Sequence, residues 1–401
     1  MAMRSTADQG KQVKAVSDQG GLLVAYGAAG PQDKNGTGPT GPVQSGQAQP
    51  VLTPDEVASV ISLAARAPSL HNSQPWKFRP RRDCIELLAD PDRMLTAVDP
   101  AGRELTISCG AAVFGLRLGL RRVGRLPCVA LQPDPAQPDL LARVWPAGHA
   151  ARTTAEADLI AAVPHRHTHR GPFSPGEVPA RLLDSLVTDA AAEGCELLLI
   201  TDPQVVGRLG RLVRRACAEQ RANAEISAEL ARWVRAAGSE ARDGVPATAR
   251  LADVTGSEQA GSPAGAVRLT RPAWLAHSVP RPHAAARRFP ERLAPRDFGL
   301  PGTEQPGGEP PLATAVLMTP GDTVADWLRA GQALDRVLLR AAARWVFASL
   351  QSQPIESQRH RQAVRALAGG NGHPQLLLQL GRANTAPATA RRPQAEFLVT
   401  D

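Results

Sequence analysis

Four short strings gather the residue types that can hold a ligand. APSLHNSQPWKF, residues 67–78, sets small hydroxyls, two amides and a tryptophan in one stretch. Pro68, Ser69 and Leu70 can press backbone and apolar surface on a flat ring, and Asn72 offers a donor and an acceptor to a ring edge of mixed nitrogen and oxygen. The plainer reading is a helix-to-strand loop that sends Trp76 into the core. In the second string, His165-Arg166-His167-Thr168-His169-Arg170, an extended backbone puts Arg166, Thr168 and Arg170 on one side and the three histidines on the other. The histidines could bind a metal, but no acidic or thiol partner stands near them in the sequence. Two arginines around a hydroxyl make a phosphate clamp of charge-assisted bonds, and a solvated basic strand is the alternative. The third string is SQPIES, residues 352–357, and the fourth is basic: Gly381-Arg382, then Arg391-Arg392-Pro393.

PSLHNSQPWKF resembles the PSxxNxQPW signature of the nitroreductase superfamily, whose homodimers use that loop to contact FMN across the subunit interface. The resemblance implies that Pro68, Ser69, Leu70 and Asn72 touch the isoalloxazine while Gln74, Pro75 and Trp76 hold the loop. RHTHR is similar to the family's R-x-S-x-R element, so Arg166, Thr168 and Arg170 would bind the FMN phosphate and ribityl chain, with threonine keeping the hydroxyl. Pro354, Ile355 and Glu356 match the PIEG loop, where a backbone N–H beside the glutamate donates to flavin N5; Ser357 replaces its glycine. Arg391 and Arg392 match in placement the basic pair that caps the phosphate, although the preceding strand ends LGRA instead of LGYG.

The elements that must position these strings follow from local chemistry. Thr53-Pro54-Asp55-Glu56 is a capping box with proline at the first helical position, so a helix starts there and stops at Pro68. Extended segments lie around 76–79 and in CIELLAD. A long helix runs within RELTISCGAAVFGLRLGLRRVG, ending at Arg121, Arg122 and Gly124, and PCVAL and LLARVW read as strands. A second pass begins at Ser174-Pro175-Gly176-Glu177, another expected capping box, and continues through strand CELLLIT, helices over about 203–237, strand LATAVLM, a long helix from Asp322 through WVFASL, and strand PQLLLQL. Two passes through the same order predict a duplicated α+β unit. The expected domains are a disordered tail over 1–50, a first half over 51–150 and a second over 151–401. A Pro-, Gly- and Arg-rich insertion at about 240–311 carries Trp274, Leu275, Phe289 and Phe298 and reads as a lid.

The chain has 401 residues, enough for a large two-lobed unit. Only 3% are aromatic against 43% hydrophobic, so Leu, Val and Ala must carry the core. The net charge of +8 is nearly all arginine in excess; base composition of the gene explains a bulk excess as well as function does, so single arginines need local arguments. Dispersed arginines with few aromatics argue against nucleic acid. The five cysteines follow no paired spacing, which argues against zinc or a disulfide framework. No membrane segment or signal peptide is recognised, so the expected location is the cytoplasm.

The order of the strings resembles the Acg-like family of actinobacterial NAD(P)H nitroreductases. It implies a nitroreductase-like α+β fold built as a single-chain pseudo-dimer, monomeric or weakly dimeric, with one FMN. The implied activity is hydride transfer from NAD(P)H through FMN to a nitroaromatic or quinone, with no side chain as catalytic acid or base and no metal. The alternative is a flavin-sequestering protein with a closed lid.

Overall fold

The computed structural model describes residues 22–25, 51–170, 173–236, 239–246, 268–270, 312–387 and 389–399. Helix α1 (Pro54–Ala64) starts as its residues require: Thr53 Oγ accepts the Glu56 N–H at 3.2 Å and the Glu56 carboxylate accepts the Thr53 N–H at 2.9 Å. Strands β2 (Trp76–Pro80) and β3 (Ile85–Ala89), helix α2 (Arg103–Arg122), and strands β4 (Arg125–Leu131) and β5 (Leu140–His149) follow. With β1 (Leu22–Ala25) they form an antiparallel sheet ordered β1-β4-β5-β3-β2. β1 departs from the disordered tail expected over 1–50: a short apolar run takes up the open edge of β4. The rest of that tail lies outside the described residues.

After α3 (Thr154–Ala162), the second pass contains α4 (Ala180–Ala192), β6 (Glu196–Ile200), α5 (Pro203–Ala222), α6 (Ala224–Arg232) and the two-residue strands β7 (Val234–Arg235) and β8 (Val245–Pro246). Next come β9 (Arg268–Thr270), β10 (Ala313–Thr319), α7 (Val324–Ala342), β11 (Val346–Leu350), α8 (Gln353–Glu356), α9 (Gln358–Ala368), β12 (His373–Arg382) and β13 (Thr385–Pro387). The second sheet is antiparallel with order β11-β12-β10-β6. The orders α1-β2-β3-α2-β4-β5 and α4-β6-β10-α7-β11-β12 correspond element by element, and corresponding strands take corresponding places in their sheets.

Three local expectations are corrected. Ser174 does not cap a helix; its N–H donates to the Arg382 carbonyl at 2.7 Å, and α4 begins at Ala180 behind Pro179 without a side-chain cap. The second capping box is Thr153 with Glu156, which opens the unforeseen α3, and a third is Thr323 with Asp326. The long helix does not run through WVFASL: it ends at Ala342, and Trp345, at φ +56°, turns the chain into β11, whose Val346 and Phe347 suit a buried strand. Most of the lid expected at 240–311, with Trp274, Leu275, Phe289 and Phe298, lies outside the described residues.

Each sheet covers its own apolar cluster: Trp76, Phe78, Ile85 and Leu87 in the first half, Leu183, Leu186, Val337 and Leu378 in the second. Fully burying side chains of this size contributes about 1.5–3 kcal/mol each. A third cluster joins the halves through Phe114 and Leu118 on α2, Leu339 on α7, and Phe347 on β11. α2 packs most extensively on α7, and the approach is set by a glycine on each helix. A Cβ on Gly110 would lie 2.3 Å from the Leu328 carbonyl oxygen, and one on Gly331 would lie 2.0 Å from that of Ile107. Each glycine thus meets the residue three positions before its counterpart. Among the described residues no helix is long and apolar enough to cross a membrane.

Gly331→Ala should therefore lower stability by about 3 kcal/mol, since backbone of a facing helix has to move. Gly207→Ala in α5, where a Cβ meets only the Arg211 tip at 3.9 Å, should raise it by roughly 0.5–1 kcal/mol. Urea midpoints measure both, and similar values for the two would overturn the account of the crossing.

Candidate functional site

The loop between α1 and β2 is shaped by three residues in the left-handed region: His71 at φ +49°, Asn72 at +58° and Gln74 at +52°. Such backbone costs on the order of 1–3 kcal/mol per residue and persists only when neighbours hold it. Ser69 Oγ accepts the Gln74 N–H at 3.0 Å, and Ser108 Oγ on α2 accepts the Leu70 N–H at 3.2 Å. Gln74 is fully buried; its amide donates to the Asn72 and Arg242 carbonyls and accepts the Arg392 N–H at 2.9 Å.

The C-terminal segment crosses from the second half to brace this loop. Arg391 donates to the carbonyls of Ala65 (2.9 Å), Arg66 (2.9 Å) and Ala67 (3.0 Å), which α1 leaves unpaired at its end, and to Asn72 Oδ1 at 3.0 Å. Asn72 returns a bond from its amide to the Ala390 carbonyl at 3.2 Å. Arg392 donates to the Gln74 carbonyl at 2.8 Å and the Trp76 carbonyl at 3.3 Å. Beyond it, Phe78 of β2 donates its N–H to the Phe397 carbonyl at 2.7 Å and accepts the Val399 N–H at 2.8 Å.

Above α2 opens a cleft whose empty space, with the solvent of its open mouth included, is about 820 Å³. Leu70, Ile107, Leu334, Leu350 and Leu376 give it an apolar wall. Ser69, Glu104, Ser108, Thr168, Arg170 and Ser352 give it a polar one. Pro68, Ser69 and Leu70 from the first string thus share a cleft with Thr168 and Arg170 from the second. Arg166 is buried beside them: its guanidinium donates to the Arg66 carbonyl at 3.2 Å and lies 3.9 Å from Asp335 on α7. Asn72, Arg391 and Arg392 knit the loop and do not line the cleft. Neither do Pro354, Ile355 and Glu356, although they follow the cleft residue Ser352. The N–H groups of Ile355 and Glu356 donate to the Ser352 carbonyl at 2.8 and 3.0 Å, Ile355 packs with Val206, Leu209 and Leu377, and the Glu356 carboxylate accepts from Gln220 at 2.6 Å.

Charge behind the cleft is unbalanced. Burial, with Arg166 and Arg66 nearby, pulls the Arg391 guanidinium well below its usual range, and burial also lowers Arg166 and Arg66. Asp335 is the acid among them, pushed up to about 7 by burial against the pull of Arg166 and Arg391. Three guanidiniums against one carboxylate in a dry region would be relieved by an anion. Arg66, Glu104, Ser108 and Leu334 were missed in the sequence. Arg66 adjoins the first string, but the others sit inside long helices whose pattern reads as core.

The three histidines lie along aromatic rings, but His169 also lines the cleft beside Thr168 and Arg170, which alternation had placed on the opposite side. His165 stacks on Trp345 at 5.3 Å, His167 lies 4.4 Å from Phe347, and His169 lies 4.5 Å from Phe173. Among the described residues no group of three or more His, Cys, Asp or Glu is placed to hold a metal ion.

No protein-family profile matches the chain. It is 32% identical over 355 residues to "Putative NAD(P)H nitroreductase Rv3131" of Mycobacterium tuberculosis, covering 86% of this chain and 91% of the relative. The same organism's "Putative NAD(P)H nitroreductase acg" is 29% identical over 354 residues, covering 86% and 95%. Its "Uncharacterized protein Rv3127" is 29% identical over 358 residues, covering 84% and 90%.

Burial lowers the His167 pKa from 6.5 to about 3. Between those values the unfolded chain binds a proton that the folded one refuses, so this contribution to stability is complete above about pH 6.5 and is lost as pH falls toward 3. Urea titrations should show the wild type losing about 1.4 kcal/mol per pH unit relative to His167→Phe between about pH 6 and 4. Parallel pH dependences would mean that His167 titrates normally.

Proposed function

The chain belongs to the NAD(P)H nitroreductase family of these relatives, and we propose that it is an FMN-dependent oxidoreductase passing hydride from NAD(P)H to a nitroaromatic, quinone or similar acceptor. The observation that carries this reading is the meeting, at one cleft, of Pro68, Ser69 and Leu70 from one half with Thr168 and Arg170 from the other. The chemistry of the walls fits the cofactor: apolar leucines suit the faces of a flat ring, hydroxyls suit a ribityl chain, and Arg170, with Arg166 buried behind it, suits a phosphate. FMN, when bound, supplies the hydride chemistry that no side chain offers. The protein's part is to grip, orient and exclude water. Ser69 and Ser108 fix the loop against α2, Thr168 and Arg170 face the polar end, and Arg391 with Asn72 keeps the loop from relaxing. Of the string 352–357 only Ser352 lines the cleft, so the proposed backbone contact with flavin N5 falls at the start of that turn and not beside Glu356.

The repeated element order is read as a fused, diverged pair of subunits. Where the first half has the loop 65–75 between α1 and β2, the second has the short turn 193–195 between α4 and β6. One flavin per chain follows, because the second position lacks the loop that would cover the ring.

Purified protein should show a flavin absorbance band, directly or after FMN addition, and anaerobic NADH or NADPH should bleach it. A yellow protein that neither nucleotide bleaches would replace turnover with flavin sequestration. Absence of the band after reconstitution would overturn the reading. Arg166→Ala combined with Arg170→Ala should weaken FMN binding by roughly 100-fold, as expected for losing two charge-assisted contacts. Unchanged affinity would refute the phosphate assignment.

A further inference from the structure

Helix α1 ends among more positive charges than its end requires. Its last carbonyls, those of Ala65, Arg66 and Ala67, accept from the guanidiniums of Arg391 and Arg166, which already supply the cation that a helix C-terminus favours. Arg391 is saturated by this role: Nε donates to Ala65, Nη1 to Asn72 and Ala390, and Nη2 to Arg66 and Ala67, so its five bonds use every N–H group the side chain has. Arg166 donates through one, to the Arg66 carbonyl at 3.2 Å. The third cation is the Arg66 side chain itself, which is half-buried and, among the described residues, meets no acceptor. Burial alone pulls it below its usual range, and its charge in turn lowers Arg166 and Arg391. Asp335 is the carboxylate among them. It is buried, its Oδ1 accepts no hydrogen bond, and Arg166 Nε lies 3.9 Å away. At that separation it offsets charge without occupying the N–H groups of Arg166.

We propose that Arg66 is a phosphate-binding residue, closing with Arg166 on a phosphate group while Asp335 stands in as counter-charge when the anion is absent. Arg66 belongs to none of the four strings, yet Pro68 and Ser69, just after it, line the cleft, so the segment that shapes the ring wall also carries this cation. Three guanidiniums against one carboxylate leave an excess of at least two positive charges, and a phosphate monoester brings about two negative ones with three acceptor oxygens. Those oxygens can take charge-assisted bonds from both forks, which Asp335 at its distance does not. Where the phosphate is that of FMN, the proposal rests on the cofactor reading above; a free phosphate or a phosphorylated substrate presents the same chemistry. An arginine that merely served the helix end would stabilise the chain. One kept for an anion costs stability until the anion arrives.

The test uses the ligand-free full chain, titrated with inorganic phosphate at an ionic strength held constant with chloride and followed by its urea midpoint. Phosphate should raise the wild-type midpoint. Without phosphate, Arg66→Ala should be as stable as the wild type or more so, because it loses a like charge and no hydrogen bond. Its phosphate affinity should fall roughly tenfold or more, as for one charge-assisted contact, and Arg66→Lys should recover part of the loss. Asp335→Asn, which removes the stand-in carboxylate, should bind phosphate more tightly. FMN and riboflavin, followed by quenching of flavin fluorescence, identify the source of the phosphate. A loss in Arg66→Ala for FMN but not for riboflavin assigns the site to the cofactor's phosphate; a loss for inorganic phosphate with FMN unchanged assigns it to a separate phosphate group and upholds the site. Unchanged affinity for both phosphate and FMN, or an Arg66→Ala chain less stable than the wild type without phosphate, overturns the proposal. Because phosphate binding is read without flavin, a chain that grips phosphate through Arg66 yet never turns yellow overturns the oxidoreductase reading and leaves this one standing.

Discussion

The close crossing of α2 and α7 is the constraint on which the rest of the molecule depends. Gly110 and Gly331 let each backbone meet the other helix, and nothing larger fits without moving a carbonyl. Ile107, at that crossing, is also the base of the cleft, and Leu334 follows Gly331 by one helical turn on the same apolar wall. The distance between the halves, the width of the cleft and the reach of the first-half loop to Thr168 and Arg170 therefore share one origin. Close-packed interiors transmit such a displacement and do not absorb it.

Around this contact the chain is tied by arginines used as internal connectors. Arg117 on α2 bonds Glu193 at 2.6 Å and Gln332 of α7 at 2.9 Å, while Arg336 and Arg340 bring Asp189 and Glu193 into the same buried network. Each of these charges has its partner, so the network fixes register more than it adds stability. The cluster of Arg66, Arg166 and Arg391 differs because, among the described residues, Asp335 is the acid that answers it. Both sets contain the same residue type, and only their counter-charges separate a structural tie from an invitation to an anion.

The ring loop shows how a strained segment survives. His71, Asn72 and Gln74 would relax if left alone, but Ser108 holds one side and the C-terminal segment holds the other through Arg391 and Arg392. The far end of the chain thus conditions a loop more than 300 positions earlier. The same principle acts at the histidines, where packing on Trp345, Phe347 and Phe173 holds three otherwise flexible side chains in place.

The sequence by itself determined the elements whose signals are local: the Thr53 capping box, the long helices, and the repetition of one α+β order. It misplaced boundaries where a signal was local in form only. Ser174-Pro-Gly-Glu has the spelling of a cap, but its first N–H was claimed by Arg382 of β12, and WVFASL continues a helical pattern that β12 draws into a sheet. Whether Asn72 and Arg391 face a ligand or each other depends on groups hundreds of residues apart in the chain, and so does the choice of His169 over its neighbours as the histidine of the cleft. Those matters only the tertiary structure decided, because a hydrogen bond is satisfied by whichever partner the fold brings within about 3 Å, regardless of sequence distance.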